Sequence, residues 1–222
     1  MNMIAALAAG TAALLLGPPL AAVSFGVSAR SMPTLAGRWW LGEPATCLQA
    51  AGVSAAACIL AATTSVFSPN VTLWIVSWMF SVVGIGLALI DLRIRRLPFL
   101  LSAILYVTCA IAFSAAALWG DGGGAAIRAA ASAAVSLTAL LVLALALPGQ
   151  LALGDVFFAG AIAGCLGYCS WAAIGGMVAG FVAQFLISPL VNAIRRSQTR
   201  IAHPLGPALL AGWVLGFLGA MG

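Results

Sequence analysis

The sequence predicts an all-α, polytopic membrane protein with about eight transmembrane helices. Three observations predict it. Of 222 residues, 64% are hydrophobic and only 6% charged, with a mean hydropathy of +1.18. The apolar residues are gathered into runs close to the roughly 20 residues that a helix needs to cross the hydrocarbon core. Turn-rich breaks separate the runs, among them Ser68-Pro69-Asn70, Gly120-Asp121-Gly122-Gly123-Gly124 and Leu147-Pro148-Gly149-Gln150. In lipid, backbone polar groups must be satisfied internally, which Leu/Ala/Val-rich runs achieve as helices. This composition excludes a water-soluble single-core domain.

The spans are expected at 3–27, 46–66, 71–90, 98–118, 126–147, 156–170, 172–192 and 204–221. No charge precedes the first run and Arg30 and Arg38 follow it, so it reads as a retained helix and not a cleaved signal. The second run lies between Ala45 and the Ser68-Pro69-Asn70 break. The third ends at Ile90, where Asp91 and Arg93 interrupt it, and Pro98 restarts the fourth. The glycine loop precedes the fifth, and Gly154-Asp155 precedes the short sixth. Spans six to eight carry Gly160/Gly164, Gly176/Gly180 and Gly212/Gly216, a spacing that lets helix backbones approach closely, and they are expected to pack against one another. With no internal repeat and no soluble insert, residues 1–222 read as one membrane domain, 1–70 as N-terminal helices and 71–222 as its core.

The net charge of +5 comes from arginines alone, set against Glu43, Asp91, Asp121 and Asp155. The arginines cluster beside apolar runs and form no basic stripe, which argues against a nucleic-acid partner. Alternating the loops puts Arg30, Arg38, Arg93, Arg95, Arg96, Arg195, Arg196 and Arg200 on one side and leaves Arg128 near the other. By the positive-inside rule the first side is cytoplasmic, which implies an inner-membrane protein with both termini outward. Asp91 and Asp155 then stand at cytoplasmic helix ends, and Asp121 lies outside. Trp74, Trp119 and Trp171 on one side and Trp39 and Trp40 on the other read as interfacial belts. The five cysteines lack zinc-site spacing and read as small packing residues, so no metal and no cofactor is expected. His203 reads as an interfacial residue, and Arg195, Arg196 and Arg200 as orientation charges.

An acid inside an apolar span costs about 2.5–3.5 kcal/mol at the helix centre and less near the interface. Asp91 and Asp155 both occupy such edges. Two carboxylates brought together share a proton, one acting as base toward water and the other as acid toward a carbonyl, which suffices for peptide hydrolysis. Two plainer roles fit the same residues: helix caps, or partners for arginines such as Arg93 and Arg95.

The segment Ala152-Leu153-Gly154-Asp155-Val156 resembles the glycine-x-glycine-aspartate-valine motif of the prepilin peptidases. Ile90-Asp91-Leu92 with Pro98 is similar to the family's first aspartate motif before a proline-started helix. Pro204-Leu205-Gly206-Pro207-Ala208-Leu209 resembles its proline-phenylalanine-glycine-proline segment. The resemblance covers residues 71–222, with a fainter echo at Ser24-Phe25, Arg30 and Met32-Pro33. Three positions depart from it: Ala152 replaces a glycine, Phe157 stands where a lysine is usual, and Leu205 replaces phenylalanine.

The resemblance implies an intramembrane aspartic endopeptidase with Asp91 and Asp155 as its catalytic pair, and Gly154, Pro98, Pro204, Gly206 and Pro207 as supporting motif residues. Its substrate would be a prepilin or pseudopilin precursor, and its partners membrane lipid and pilus or secretion assembly machinery. The loop from Ser28 to Ala45 lacks the four-cysteine module of larger relatives, so neither a zinc site nor methyltransferase activity carries over. Asp155 near a helix N-terminus and Asp91 near a C-terminus would make Asp155 the expected base and Asp91 the expected proton donor. Two other classes remain open on the same residues: a proton- or cation-coupled transporter using both acids, and a peptidase-like scaffold without activity.

Overall fold

A computed structural model describes residues 3–26, 45–119, 122–146, 151–183 and 204–221. Among them the secondary structure is helical throughout, with eight helices: α1 Met3–Gly26, α2 Cys47–Phe67, α3 Val71–Ile94, α4 Phe99–Leu118, α5 Gly123–Ala146, α6 Leu153–Cys169, α7 Ile174–Ala183 and α8 Gly206–Met221. α1 to α5 are long and apolar enough to cross a membrane, while α6, α7 and α8 are shorter. The chain is a polytopic helical membrane protein. Arg30, Arg38, Trp39, Trp40, Glu43, Asp121, Arg195, Arg196, Arg200 and His203, with the second half of the expected seventh span, lie outside the described residues.

The helix starts follow local chemistry. Thr46 Oγ1 accepts from the Gln49 amide at 3.3 Å while Gln49 Oε1 accepts from the Thr46 amide at 2.9 Å, a reciprocal cap that opens α2. Asn70 Oδ1 accepts from the Leu73 amide at 2.8 Å and opens α3. α3 then runs one turn past its expected end. Asp91 and Arg93 end the apolar run without ending the helix, because charge alone does not break backbone hydrogen bonding. The helix stops at Arg95, whose φ of 55° places it in the left-handed region and whose amide donates to the Asp91 carbonyl at 2.8 Å. Pro98 follows and α4 begins at once.

α5 and α6 likewise begin about three residues before their expected starts. Gly123 and Gly124 enter α5, and Asp155 falls within the first turn of α6. The short sixth span is the most enclosed of the eight. From Gly154 to Tyr168 it is buried at every position but Phe157. Its shortness fits that place, because α4, α5 and α8 all pack against it.

One hydrophobic cluster joins α3 to α8, with Phe80 of α3 stacked on Trp213 of α8 at 5.0 Å and tilted against Phe158 of α6 at 6.4 Å. A second joins α1 and α2 to the outer face of α3. Two of the three glycine pairs meet as expected: a Cβ at Gly176 or Gly180 would strike the backbone of α8 around Gly212 and Gly216. Gly160 and Gly164 instead face α5, where Leu137 and Ala133 fill the space. The spacing permits close approach without selecting the neighbour.

Candidate active site

The first aspartate stands in the last turn of α3 and is 2% exposed. The turn is anchored from behind: Arg93 Nη1 donates to the Ser24 carbonyl at 2.9 Å and its guanidinium lies 4.8 Å from the Phe25 ring centroid. The Ser24-Phe25 segment is thereby tied to α3 two residues from Asp91. Arg93 is spent on α1, and no ion pair holds Asp91 among the described residues.

What Asp91 does hold is the start of α8. Its Oδ2 accepts the Gly206 amide at 2.6 Å, and the Leu205 amide also faces the carboxylate. The first amides of a helix have no partner within it, and the helix dipole favours negative charge there. Asp91 supplies the acceptor, capping α8 across 115 residues of chain. Pro207 in the first turn lacks an N–H, so it adds no further orphan donor. This alters the dipole contrast expected from sequence. Asp91 does sit at the C-terminal end of its own helix, but its carboxylate meets the N-terminus of another, so position in the chain no longer separates a base from a proton donor.

Gly206 leaves little room for anything but hydrogen. A Cβ there would lie 3.1 Å from both Cβ and Oδ2 of Asp91 and 3.5 Å from Cα of Ala88. Gly206→Ala is expected to keep the fold while shifting the Asp91 carboxylate by a few tenths of an ångström. If the site is catalytic, turnover falls by about tenfold, since displacement of 1 Å costs about a hundredfold. Comparing kcat of the two proteins at equal abundance checks it.

The second aspartate occupies the third position of α6 and is 7% exposed. Oδ2 accepts the Ala152 amide at 2.9 Å, one half of a capping box. Ala152 has no side-chain acceptor to complete the other half. Oδ1 is buried and bonded to nothing among the described residues. Capping therefore accounts for one oxygen of Asp155 and leaves the other unexplained.

One contact brings the segments that carry the two aspartates together. A Cβ on Gly154 would land on the Leu97 carbonyl, so α6 begins pressed against the backbone link that joins Asp91 to Pro98. Pro98 and Gly154 are buried with the two aspartates, and Pro204 and Pro207 are half-buried beside Gly206. Leu97 meets Gly154 chiefly through its backbone carbonyl, which is why residue chemistry gave no sign of it.

Phe157 packs edge-on against Phe99 at 5.1 Å and Tyr106 at 5.6 Å. Where the prepilin-peptidase motif places a lysine, this chain has an aromatic clamp on α4. A cavity of about 160 Å³ lies between α4, α5 and α6, lined by Tyr106, Cys109, Phe113 and small residues. Neither aspartate lines it. At the opposite end of the bundle, Arg128 Nη2 donates to the Tyr168 carbonyl at 3.3 Å, and Trp119 and Trp171 are exposed. The cysteines are free, and no group of ligands able to hold a metal ion occurs among the described residues.

No protein-family model, curated protein or solved structure matches the chain. The fold and site define a polytopic helical membrane protein with two buried carboxylates at one end of its bundle.

Proposed function

We propose that the chain is an intramembrane aspartic endopeptidase of the prepilin-peptidase type, cleaving the leader from prepilin-like precursors at the cytoplasmic face of the inner membrane. One observation carries the reading. The three segments that resemble the family's motifs, far apart in sequence, converge on one site through the Asp91–Gly206 hydrogen bond and the Gly154–Leu97 contact. A pair of acids serving only as local caps has no need of that convergence.

The reaction needs only the two carboxyl groups and water. One carboxylate takes a proton from water as the water oxygen bonds to the scissile carbonyl carbon. The other carboxyl gives its proton to the carbonyl oxygen. The C–N bond then breaks as the first carboxyl passes the proton it took from water to the departing nitrogen, which keeps the electron pair and leaves as the new N-terminus. A hydroxyl of the intermediate returns its proton to the second carboxylate, and the C=O bond re-forms. Because the pair acts jointly, neither aspartate is assigned one role alone. The site sits where an apolar substrate helix would leave the membrane, so water reaches it without crossing hydrocarbon.

The test is cleavage of a purified prepilin-like precursor by the chain in liposomes, read by product mass. A single cut between the basic leader and the apolar helix is expected. No cut, with a proton or cation flux that depends on Asp91 and Asp155, would establish the transporter class instead.

A further inference from the structure

Seven residues make nearly two turns of an α-helix, so residues seven apart share a face, while residues two apart stand about 200° around it. α3 carries two such seven-residue pairs toward its end. Gly84 and Asp91 form the first. A Cβ at Gly84 would press on Leu210, and Asp91 accepts the Gly206 amide, so this face meets the start of α8. Gly86 and Arg93 form the second. A Cβ at Gly86 would press on Leu20 and Ser24, Ser24 Oγ donates to the Gly86 carbonyl at 3.5 Å, and Arg93 holds the Ser24 carbonyl and lies over the Phe25 ring. This face meets the end of α1.

The last turn of α3 is thus gripped from two nearly opposite sides, by α8 at Asp91 and by α1 at Arg93. A helix end has fewer hydrogen bonds than its interior and frays unless its side chains are held. Leu92, Arg95 and Arg96 of the same segment are exposed, whereas Ser24 is 0% exposed, so the latch fastens the turn to a packed part of α1. A planar guanidinium suits this place, because it donates at its edge while its face covers an aromatic ring.

We infer that Arg93 is a positioning residue for Asp91: by latching the last turn of α3 to α1, it sets the rotation at which the Asp91 carboxylate is presented to α8 and to substrate. The kinetic part of this inference rests on the peptidase reading. Arg93 points away from the face that carries Asp91, forms no bond to substrate and exchanges no proton. Its effect passes through the backbone of the turn alone.

Precursor cleavage and melting in detergent test this separately. Arg93→Ala is expected to lower kcat by about tenfold with KM within twofold, since a misplacement of 1 Å is worth about a hundredfold and the Asp91–Gly206 bond limits the shift to less. Arg93→Lys keeps a donor for the Ser24 carbonyl without the planar face and should recover part of the rate. Phe25→Leu should add no further loss to Arg93→Ala. Arg96→Ala removes an equal charge from an exposed neighbour, and its kcat should stay within twofold of wild type. An Arg93→Ala kcat within twofold of wild type, a lysine variant no faster than alanine, a further loss from Phe25→Leu, or an equal loss in Arg96→Ala overturns the inference. The second readout needs no substrate. If the latch presents Asp91 to Gly206, the melting shifts of Arg93→Ala and Asp91→Ala are non-additive, while those of Arg96→Ala and Asp91→Ala add. Additive shifts with Arg93, or equal coupling with Arg96, overturn it. A precursor left uncut by wild type defeats the peptidase reading, and the thermal cycles then decide whether Arg93 positions Asp91.

Discussion

Gly154→Leu is expected to abolish precursor cleavage and to lower thermal stability in detergent. The side chain would have to occupy the place of the Leu97 carbonyl, and a Cβ alone already collides with it. Backbone yields less than a flexible side chain, so α6 must back away from the link between α3 and α4. Overpacking of this kind costs about 1–3 kcal/mol. The functional loss is larger, because the same shift carries Asp155 away from Asp91, and a misplacement of 1 Å is worth about a hundredfold in rate. Gly154→Ala should give a weaker version of both effects. Gly123→Ala is the control: a Cβ there meets nothing within 4 Å, so activity and melting should stay at wild-type values. Equal cleavage by Gly154→Leu and wild type would show that the start of α6 has no part in the chemistry.

Asp91→Asn and Asp155→Asn are each expected to lower cleavage by about 10²- to 10⁴-fold, the range supplied by positioned acids and bases. Both variants should accumulate in the membrane at normal levels. Asparagine retains a carbonyl oxygen, so position 91 still accepts the Gly206 amide and position 155 still accepts the Ala152 amide. Only the proton-exchanging function disappears. Alanine behaves differently at the two sites. Asp91→Ala leaves the first amide of α8 without its acceptor and should destabilise the protein by about 1–3 kcal/mol. Asp155→Ala removes a local contact within one helix start and should cost less. Immunoblotting of membranes alongside product mass separates these effects.

The fold was largely legible because apolar run length and turn residues carry most of the information about helices in lipid. Eight helices fall where eight runs were expected. The ends were less legible: charge at Asp91 closes an apolar run without closing a helix, and Gly123-Gly124 enters α5 despite looking like a loop. The partners of the glycine pairs were not legible at all, since i, i+4 glycines on α6 fit α5 as well as α7 or α8. In the site, Asp91, Asp155 and the glycines next to them could be picked out as acids and small residues in motif context. Their mutual arrangement could not. The Asp91–Gly206 bond spans 115 residues, and the donor is a backbone amide that any residue but proline would possess.

The dyad is most directly tested by the cleavage rate of Asp91→Asn, Asp155→Asn and the Asp91→Asn/Asp155→Asn double variant on one precursor, at matched membrane abundance. Groups that act as a unit give grossly non-additive losses. The double variant is expected to be no slower than either single variant, with all three far below wild type. Substantial cleavage by either single variant, or losses that multiply in the double, would contradict a shared two-carboxylate site.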